Sequence, residues 1–309
     1  MMTPQRTPQQ RIRFIVIVTL AIVIPLGLAL PFALGFGFIS VLTAPGCGGG
    51  QDPAGMGWNY EDVSFPSSEF PGQMIPAYWI AADEPSELTV IVVPTSGGRG
   101  ERLDEVAAYR AAGVNVLSYA GRTCLAPVTN SLGYLEADAV GDALAYLNTR
   151  GDVDPNQIGL HGFSAGGAAA LMAAARFNDQ IAWLVSEGGY HNFNAEIDEN
   201  SLTHLPLGLG PLFRFGALFG YRVTVGVDMS VLSPIDAIDA IDAPVLLIYG
   251  TREPSLAGAR EMQRVGGENI RLWEVPGATH GGYIAAAGAA EYEERIKEFL
   301  TTENIENTE

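Results

Sequence analysis

The residues best suited to chemistry lie in the segment GFSAG, residues 162–166, with Ser164 at its centre. An apolar run begins at Ile158 and precedes the serine, and an alanine-rich segment, 168–175, follows it. Because alanine is the strongest helix former, the pattern predicts a strand, a tight turn and a helix. Glycines two positions before and after the serine allow a turn that has almost no room for side chains. Ser164 is therefore a candidate nucleophile at a sheet edge, the alternative being a structural serine in a glycine-rich turn.

The surrounding sequence alternates between strand-like and helix-like segments. Residues 58–65 and 74–81 alternate apolar and polar residues around a turn, which predicts an antiparallel hairpin. Further strands are predicted at 88–93, 114–119, 158–162, 181–185, 245–249 and 270–275, and helices at 101–112, 132–150 and 291–300. This alternation predicts a mostly parallel sheet with helices on both faces. Residues 190–243 have no clear strand and are rich in apolar residues, so we expect a small helical lid there, or a surface excursion without substrate contact.

The serine turn, the order of strands and the loops that follow them resemble the serine α/β-hydrolase superfamily. The segments that carry this resemblance are Val90–Arg102, Gly133–Gly167, Ser233–Glu253 and Val275–Gly282. Within the superfamily, the chain is similar to membrane-anchored or secreted bacterial hydrolases related to dienelactone hydrolases and to the catalytic domain of prolyl oligopeptidases. The resemblance covers residues 58–300 and implies an α/β-hydrolase fold. It also implies a nucleophilic serine, an acid and a histidine, in that chain order.

The resemblance implies that the base is a histidine on the loop after the last strand. A serine hydroxyl is a poor nucleophile until such a base takes its proton. His280 follows the last predicted strand, and neighbouring glycines would let its loop fold over Ser164. His161 lies within the strand before the serine, and His191 and His204 fall in the predicted lid, so these three fit the role less well.

The acid of a triad orients the imidazole and stabilises its charged form. Relatives usually have an aspartate in a Gly-x-x-Asp loop after the penultimate strand, and here Glu253 occupies that position after Gly250. Two alternatives stay open. Arg252 could pair with Glu253 on the surface, and Glu187, which follows the strand ending at Val185, could reach the same histidine from that edge.

An oxyanion hole needs two N–H donors. The first is expected from Ala165, directly after the serine, and the second from the loop that follows Val93. Relatives often have His-Gly where this chain has Pro94 and Thr95. Because the donor is a backbone group, the replacement need not remove it. Ser96 is the expected donor and Gly97 the alternative, unless this is merely a flexible glycine loop.

The N-terminal region predicts a membrane anchor. Residues 1–13 carry arginines and no acid, and residues 14–42 carry no charge, which is long enough to cross a hydrocarbon core of ~30 Å. The apolar core of a cleaved signal peptide is usually about 7–15 residues, which favours an uncleaved anchor over a removed signal. The positive-inside rule then predicts a cytoplasmic N-terminus and an extracytoplasmic domain over residues 58–300.

Residues 43–57 are rich in glycine and predict a flexible tether, and residues 301–309 predict an acidic tail. Ala44 to Cys47 is similar to a bacterial lipoprotein cleavage box, so lipidation of Cys47 is an alternative to a linker cysteine. An extracytoplasmic setting would permit a bridge to Cys124. Nothing in the sequence positions the two cysteines, and no disulfide is predicted.

The net charge of −18 opposes nucleic-acid binding. The four histidines and two cysteines have no metal-ligand spacing, so no metal site is expected. The acyl-enzyme chemistry predicted for Ser164 is expected to use no organic cofactor. The sequence leaves the oligomeric state open.

Together these features predict a membrane-tethered, extracytoplasmic serine hydrolase that cleaves a small carboxylic ester through an acyl-enzyme on Ser164. An ester is favoured over a peptide because the sequence shows no propeller or other size-selecting domain, and the apolar lid favours an apolar acyl or alcohol group. A peptidase or an acyltransferase is the alternative within the enzyme class. A catalytically silent binding module is the alternative outside it, since fold does not fix function.

Overall fold

The structure is a computed structural model that describes residues 7–199 and 201–306. The first residues of the predicted cytoplasmic segment, including Arg6, and the end of the predicted acidic tail lie outside the described residues. The chain forms two compact units. One combines the N-terminal segment up to Leu42 with Ile197–Met229, and the other comprises Thr43–Glu196 and the chain from Ser230 onward.

The strands and helices are labelled in chain order. The strands are β1 (Gly48–Gly50), β2 (Glu61–Pro66), β3 (Met74–Ile80), β4 (Thr89–Val93), β5 (Gly97–Gly100), β6 (Asn115–Tyr119), β7 (Ile158–Phe163), β8 (Trp183–Glu187), β9 (Val245–Gly250) and β10 (Ile270–Val275). The helices are α1 (Pro8–Leu42), α2 (Leu103–Ala111), α3 (Asp138–Leu147), α4 (Ala165–Arg176), α5 (Phe193–Glu199), α6 (Gly210–Val225), α7 (Leu256–Gly266), α8 (Tyr283–Ala287) and α9 (Ala289–Glu306).

The larger unit is built on an eight-stranded sheet in the order β10-β9-β8-β7-β4-β6-β3-β2. The pairs from β10 to β6 are parallel, whereas β3 runs antiparallel to both of its neighbours, β2 and β6. The predicted hairpin and the mostly parallel sheet are therefore confirmed. Every residue of the central strand β4 is buried, as expected of a strand that is covered on both faces.

Alternate residues of the central strands enter two separate hydrophobic cores. Ile91 and Val93 pack with α3, α4 and α7, whereas Val90 and Val92 pack with α2 and α9. Successive side chains of a strand point to opposite faces, so the two cores lie on the two sides of the sheet. The prediction of helices on both faces is confirmed.

The smaller unit pairs α1 with α6. Helix α1 has 35 residues and is long and apolar enough to cross a membrane. The described part of the predicted insertion, 190–243, contains the helices α5 and α6, short 3-10 turns and no strand, and Ile197–Met229 within it belongs to the same unit as α1. Its proposed role as a lid stays a prediction.

The segment predicted as a flexible tether is ordered, and that prediction is wrong. Cys47 and Cys124 form a disulfide. Beside it, β1 pairs in parallel with β5. The glycine run is ordered by partners elsewhere in the chain. The composition of the run itself does not reveal such partners.

Two helix boundaries differ from those predicted by about six residues each. Helix α3 begins at Asp138 rather than near residue 132, because Leu132 and Gly133 have positive φ and cannot continue a right-handed helix. Helix α9 continues to Glu306, into the predicted tail, since neither glycine nor proline interrupts the chain after Leu300.

Replacing both cysteines by serine is expected to lower the free energy of unfolding by about 2–4 kcal/mol. The reason is that the cross-link joins residues 77 positions apart and restricts the unfolded chain. Denaturant unfolding of the wild type and the double variant in detergent measures the difference. Because the chain has two cysteines, reductant should shift the wild type alone, and equal midpoints for both proteins would contradict the prediction.

Candidate active site

The turn between β7 and α4 holds Ser164 in a strained backbone conformation, with φ 55° and ψ −124°. A Cβ at Gly162 would collide with the backbone of Gly166, and a Cβ at Gly166 would lie 2.6 Å from the carbonyl oxygen of Val93. Both glycines are therefore required by close backbone contacts. A left-handed non-glycine residue costs about 1–3 kcal/mol and is found mainly at functional sites.

The structure brings together the three residues that were predicted as nucleophile, base and acid. The Nε2 atom of His280 lies 3.0 Å from the Oγ of Ser164. The Nδ1 atom of the same ring lies 2.7 Å from Oε1 of Glu253. The glutamate side chain is 1% exposed and the histidine side chain 48%, so the carboxylate is enclosed while the imidazole meets solvent.

Glu253 is held by several donors in addition to the histidine. The hydroxyl of Tyr283 lies 2.9 Å from both carboxylate oxygens, and the N–H of Gly250 donates to Oε2 at 2.6 Å. The carboxylate therefore folds back over its own loop, which accommodates the methylene that glutamate has and aspartate lacks. Burial, and then the negative charge of Glu253, raise the pKa of Tyr283, so this tyrosine stays a hydrogen-bond donor.

The loops that carry the acid and the histidine are bonded to each other. The N–H of Thr251 donates to Val275, and the N–H of Arg252 donates to Ala278, each at 3.0 Å. The Arg252 side chain is exposed, whereas Glu253 is buried against His280, so the surface pair considered as an alternative is not what the structure contains.

The imidazole of His280 also packs on an aromatic ring. The ring of Phe163 lies 4.8 Å from it, centroid to centroid, and the guanidinium of Arg102 lies 4.2 Å from the centroid of the phenylalanine. Gly281, with φ 75°, turns the chain next to Phe163. Sequence reasoning missed Tyr283, Phe163 and Arg102, because the only signal for them was proximity in sequence to a predicted site residue.

Glu187, the rival acid, contacts a different partner. Its side chain is fully buried at the end of β8 and accepts a hydrogen bond from Tyr292 rather than from His280. Burial, reinforced by the nearby carboxylate of Glu105, raises the pKa of Glu187 to about 8. Glu187 contacts the site through its backbone, because its carbonyl oxygen accepts from the N–H of Ser164 at 2.7 Å.

The other histidines have other surroundings. His161 is fully buried in β7, with its Nδ1 atom 3.0 Å from the hydroxyl of Tyr109, and burial lowers its pKa to about 3. His191 lies 3.9 Å from the carboxylate of Glu196, and His204 is exposed.

The two predicted oxyanion donors differ in how they are placed. Ala165 is the first residue of α4, where helix N–H groups lack intrahelical partners. In the loop after β4, the carboxylate of Glu101 accepts from the N–H groups of Thr95 and Gly97, at 3.1 and 3.3 Å. Within the described residues the N–H of Ser96, between them, makes no hydrogen bond. This favours Ser96 over Gly97 as the second donor.

The disulfide-linked segment supports the same loop. Strand β5 is its second half and pairs with β1, and the hydroxyl of Thr123 donates to the carbonyl oxygen of Ser96 at 3.0 Å. Thr95 fixes the other side, since its hydroxyl donates to the carbonyl oxygen of Phe163 at 2.9 Å. The loop is therefore held in place, contrary to the alternative of a flexible glycine loop.

This arrangement has the parts that nucleophilic catalysis requires. A hydroxyl, an imidazole and a buried carboxylate follow one another at hydrogen-bond distance, which allows the imidazole to take the hydroxyl proton while the carboxylate stabilises the resulting charge. An unpartnered backbone N–H group, such as that of Ser96, is the kind of donor that can stabilise an oxyanion.

Comparisons with known proteins identify a family for the chain. The family model described as the prolyl oligopeptidase family matches residues 120–304. No curated protein matches the chain.

Solved structures share the fold at low sequence identity. An esterase of Pyrococcus furiosus has a TM-score of 0.64 at 19% identity, over 84% of this chain and 97% of its own. The esterase Est1E from Butyrivibrio proteoclasticus has a TM-score of 0.57 at 18% identity, over 79% of this chain and 99% of its own. An acylaminoacyl peptidase of Pyrococcus horikoshii has a TM-score of 0.59 at 17% identity, over 79% of this chain but 41% of its own.

Proposed function

This chain belongs to the prolyl oligopeptidase family of serine α/β-hydrolases, and from that premise we propose that it is a membrane-tethered esterase acting outside the cytoplasm. The observation that carries the proposal is the continuous chain of contacts from Ser164 through His280 to Glu253. Ser164 is the nucleophile, His280 the general base and Glu253 the acid that orients the imidazole. Ala165 and Ser96 supply the oxyanion donors.

The reaction proceeds in two acyl transfers. His280 takes the proton of Ser164 as its Oγ attacks the ester carbonyl, and the oxyanion accepts hydrogen bonds from the N–H groups of Ala165 and Ser96. The tetrahedral intermediate breaks the bond to the alcohol, which leaves with the proton from His280. Water then attacks the acyl-enzyme, with His280 again as base, and releases the carboxylic acid and Ser164.

A peptidase is the second candidate, favoured by the family model itself, whose description names an oligopeptidase. Two of the solved structures above are named esterases, and one is named a peptidase. We expect purified full-length protein to hydrolyse short-chain aryl esters with a higher kcat/KM than the matching aryl amides. A higher kcat/KM for aminoacyl amides would replace the esterase proposal by the peptidase. Folded protein that turns over neither substrate would favour the silent binding module.

The membrane setting is part of the proposal and rests on α1 and on the disulfide. Arg11 and Arg13 precede the uncharged run, which favours a cytoplasmic N-terminus. Disulfides persist in oxidising compartments, so the bond between Cys47 and Cys124 favours an extracytoplasmic location for the larger unit. Because the sulfur of Cys47 is used in that bond, it is not free for a lipid thioether.

A topology reporter tests this setting. An enzyme that is active only outside the cytoplasm, fused after Glu309, is expected to be active, and a reporter active only in the cytoplasm at the same position is expected to be silent. The opposite pair of results, obtained with intact fusion proteins, would indicate the opposite topology and contradict the prediction. Deleting residues 2–42 should leave both fusions in the cytoplasm and serves as the control.

A further inference from the structure

Helix α6 carries two kinds of surface that the predicted role as a substrate lid does not explain. One face packs against α1. The rest of the helix leaves large apolar side chains exposed, with Phe215 57%, Phe219 45% and Val223 58% accessible. These three residues recur every four positions and therefore form one strip along the helix.

The packed face brings the two backbones close together. A Cβ added at Gly35 of α1 would collide with the carbonyl oxygen of Phe213, and one added at Gly216 of α6 would collide with that of Phe32. Small residues at such positions permit close helix–helix packing of the kind found in membranes. Helix α6 thus uses the predicted anchor as its packing partner, which a cleaved signal peptide could not provide.

Aromatic contacts make the exposed strip continuous with the surface of the anchor. The ring of Phe32 lies 5.6 Å from that of Phe215 and 5.9 Å from that of Phe219, centroid to centroid. Most of the α1 side chains before Phe32 are exposed and apolar. The strip of α6 therefore extends a surface that, on a membrane anchor, faces lipid.

Length and charge indicate where α6 would lie. Its 16 residues span about 24 Å, which is less than the ~30 Å of a hydrocarbon core. The rise from Phe14 to Phe32 is about 27 Å, so a span that begins at Phe14 reaches the opposite interface near Phe32. Arg214 binds Asp198 at 2.5 Å, and Arg222 lies 3.8 Å from Asp228. The charged side chains of a helix that lies in the membrane interface can remain in the polar headgroup region, so Arg214 and Arg222 are compatible with that position.

We propose that α6 is an interfacial membrane helix, packed beside the C-terminal half of α1, whose Phe215, Phe219 and Val223 contact lipid acyl chains. The inference rests on the membrane anchoring proposed above and goes beyond it. It assigns the apolar surface of the predicted lid to the bilayer instead of to substrate.

Quenching by brominated lipids tests the proposal in the full-length chain. Phe219→Trp places a fluorophore on the strip, and Leu30→Trp places one on the exposed surface of α1 as a positive control. The wild type, with its four native tryptophans, gives the background. In phosphatidylcholine vesicles brominated along the acyl chains, both variants are expected to show quenching beyond that background. Quenching of Leu30→Trp without quenching of Phe219→Trp would overturn the proposal while the anchor stands.

Two glycines in α1 give a matched pair for the helix contact. Gly35→Leu is expected to lower the quenching of Phe219→Trp, whereas Gly37→Leu, where an added Cβ meets nothing within 4 Å, should leave it unchanged. Equal quenching in both would overturn the role of α1 as the partner of α6. Cross-linking between copies through Phe219→Cys, without lipid quenching, would make the strip a dimer interface and also overturn the proposal. Fluorophosphonate labelling of the same samples reports the proposed hydrolase separately.

Discussion

Replacing Ser164 by alanine is expected to lower kcat for an aryl ester by about 10⁴–10⁶-fold and to abolish fluorophosphonate labelling. The hydroxyl is the only group in the proposed mechanism that forms a bond to the substrate. Its reactivity comes from His280, whose Nε2 atom lies 3.0 Å away. His280→Ala should therefore lose a similar factor, because serine without a base is a weak nucleophile.

The double variant, which lacks both Ser164 and His280, tests whether the two residues act together or contribute independently to kcat. If Ser164 and His280 act as one unit, the variant that lacks both should be no slower than either single variant. A residual rate above that of water would reflect the oxyanion donors, which both substitutions leave in place. Ser68→Ala, at an exposed serine in the turn after β2, is the control and should keep full labelling. Labelling that persists in Ser164→Ala would indicate that another serine is the nucleophile.

The sequence predicted well those features of the fold and the site that are encoded in a local pattern of residues. The turn around Ser164 has its strand, its glycines and its helix within one short segment, and the fold class followed from the alternation of strands and helices. His280 could be chosen because its loop is defined by the strand before it. The structure confirms the fold and brings these residues together, while their catalytic roles stay predictions until they are tested.

What the sequence did not predict depends on contacts between distant segments. The Cys47–Cys124 bond and the pairing of β1 with β5 hold the glycine-rich run after Cys47 against distant parts of the chain, and that run has no hydrophobic alternation. The packing of α6 on α1 depends on Gly35 and Gly216, which in sequence look like any other glycines in apolar runs. In each case composition describes one segment, and the partner that orders it lies elsewhere in the chain.

The choice between Glu253 and Glu187 shows the same limit within the site. Both residues stand at the carboxyl end of a strand, Glu187 as the last residue of β8 and Glu253 shortly after β9, so chain order could not separate them. The difference lies in their side-chain partners, since Glu253 contacts His280 and Tyr283 while Glu187 contacts Tyr292.

Glu253→Gln is accordingly expected to lower kcat by about 10⁴-fold, as loss of the negative charge does in a triad. The amide keeps the shape but does not stabilise the imidazolium, and it can donate to Nδ1 and so favour the wrong tautomer. Glu187→Gln should change kcat little, because its side chain makes no contact with His280 in the described structure. Ester turnover of the two variants, with circular dichroism spectra as the check on folding, measures the difference.

The two substitutions should also differ in their effect on the pH dependence of the free energy of unfolding. Here the larger effect is expected from Glu187→Gln. Burial raises the pKa of Glu187 from 4.5 to about 8, so between these values the folded state binds a proton that the unfolded state has released. The free energy of unfolding of the wild type should therefore decrease as the pH rises through this window. Glu187→Gln cannot release that proton and should flatten this decrease, whereas Glu253→Gln should retain it.

Loss of turnover in Glu187→Gln, with turnover kept in Glu253→Gln, would instead assign the catalytic acid to Glu187.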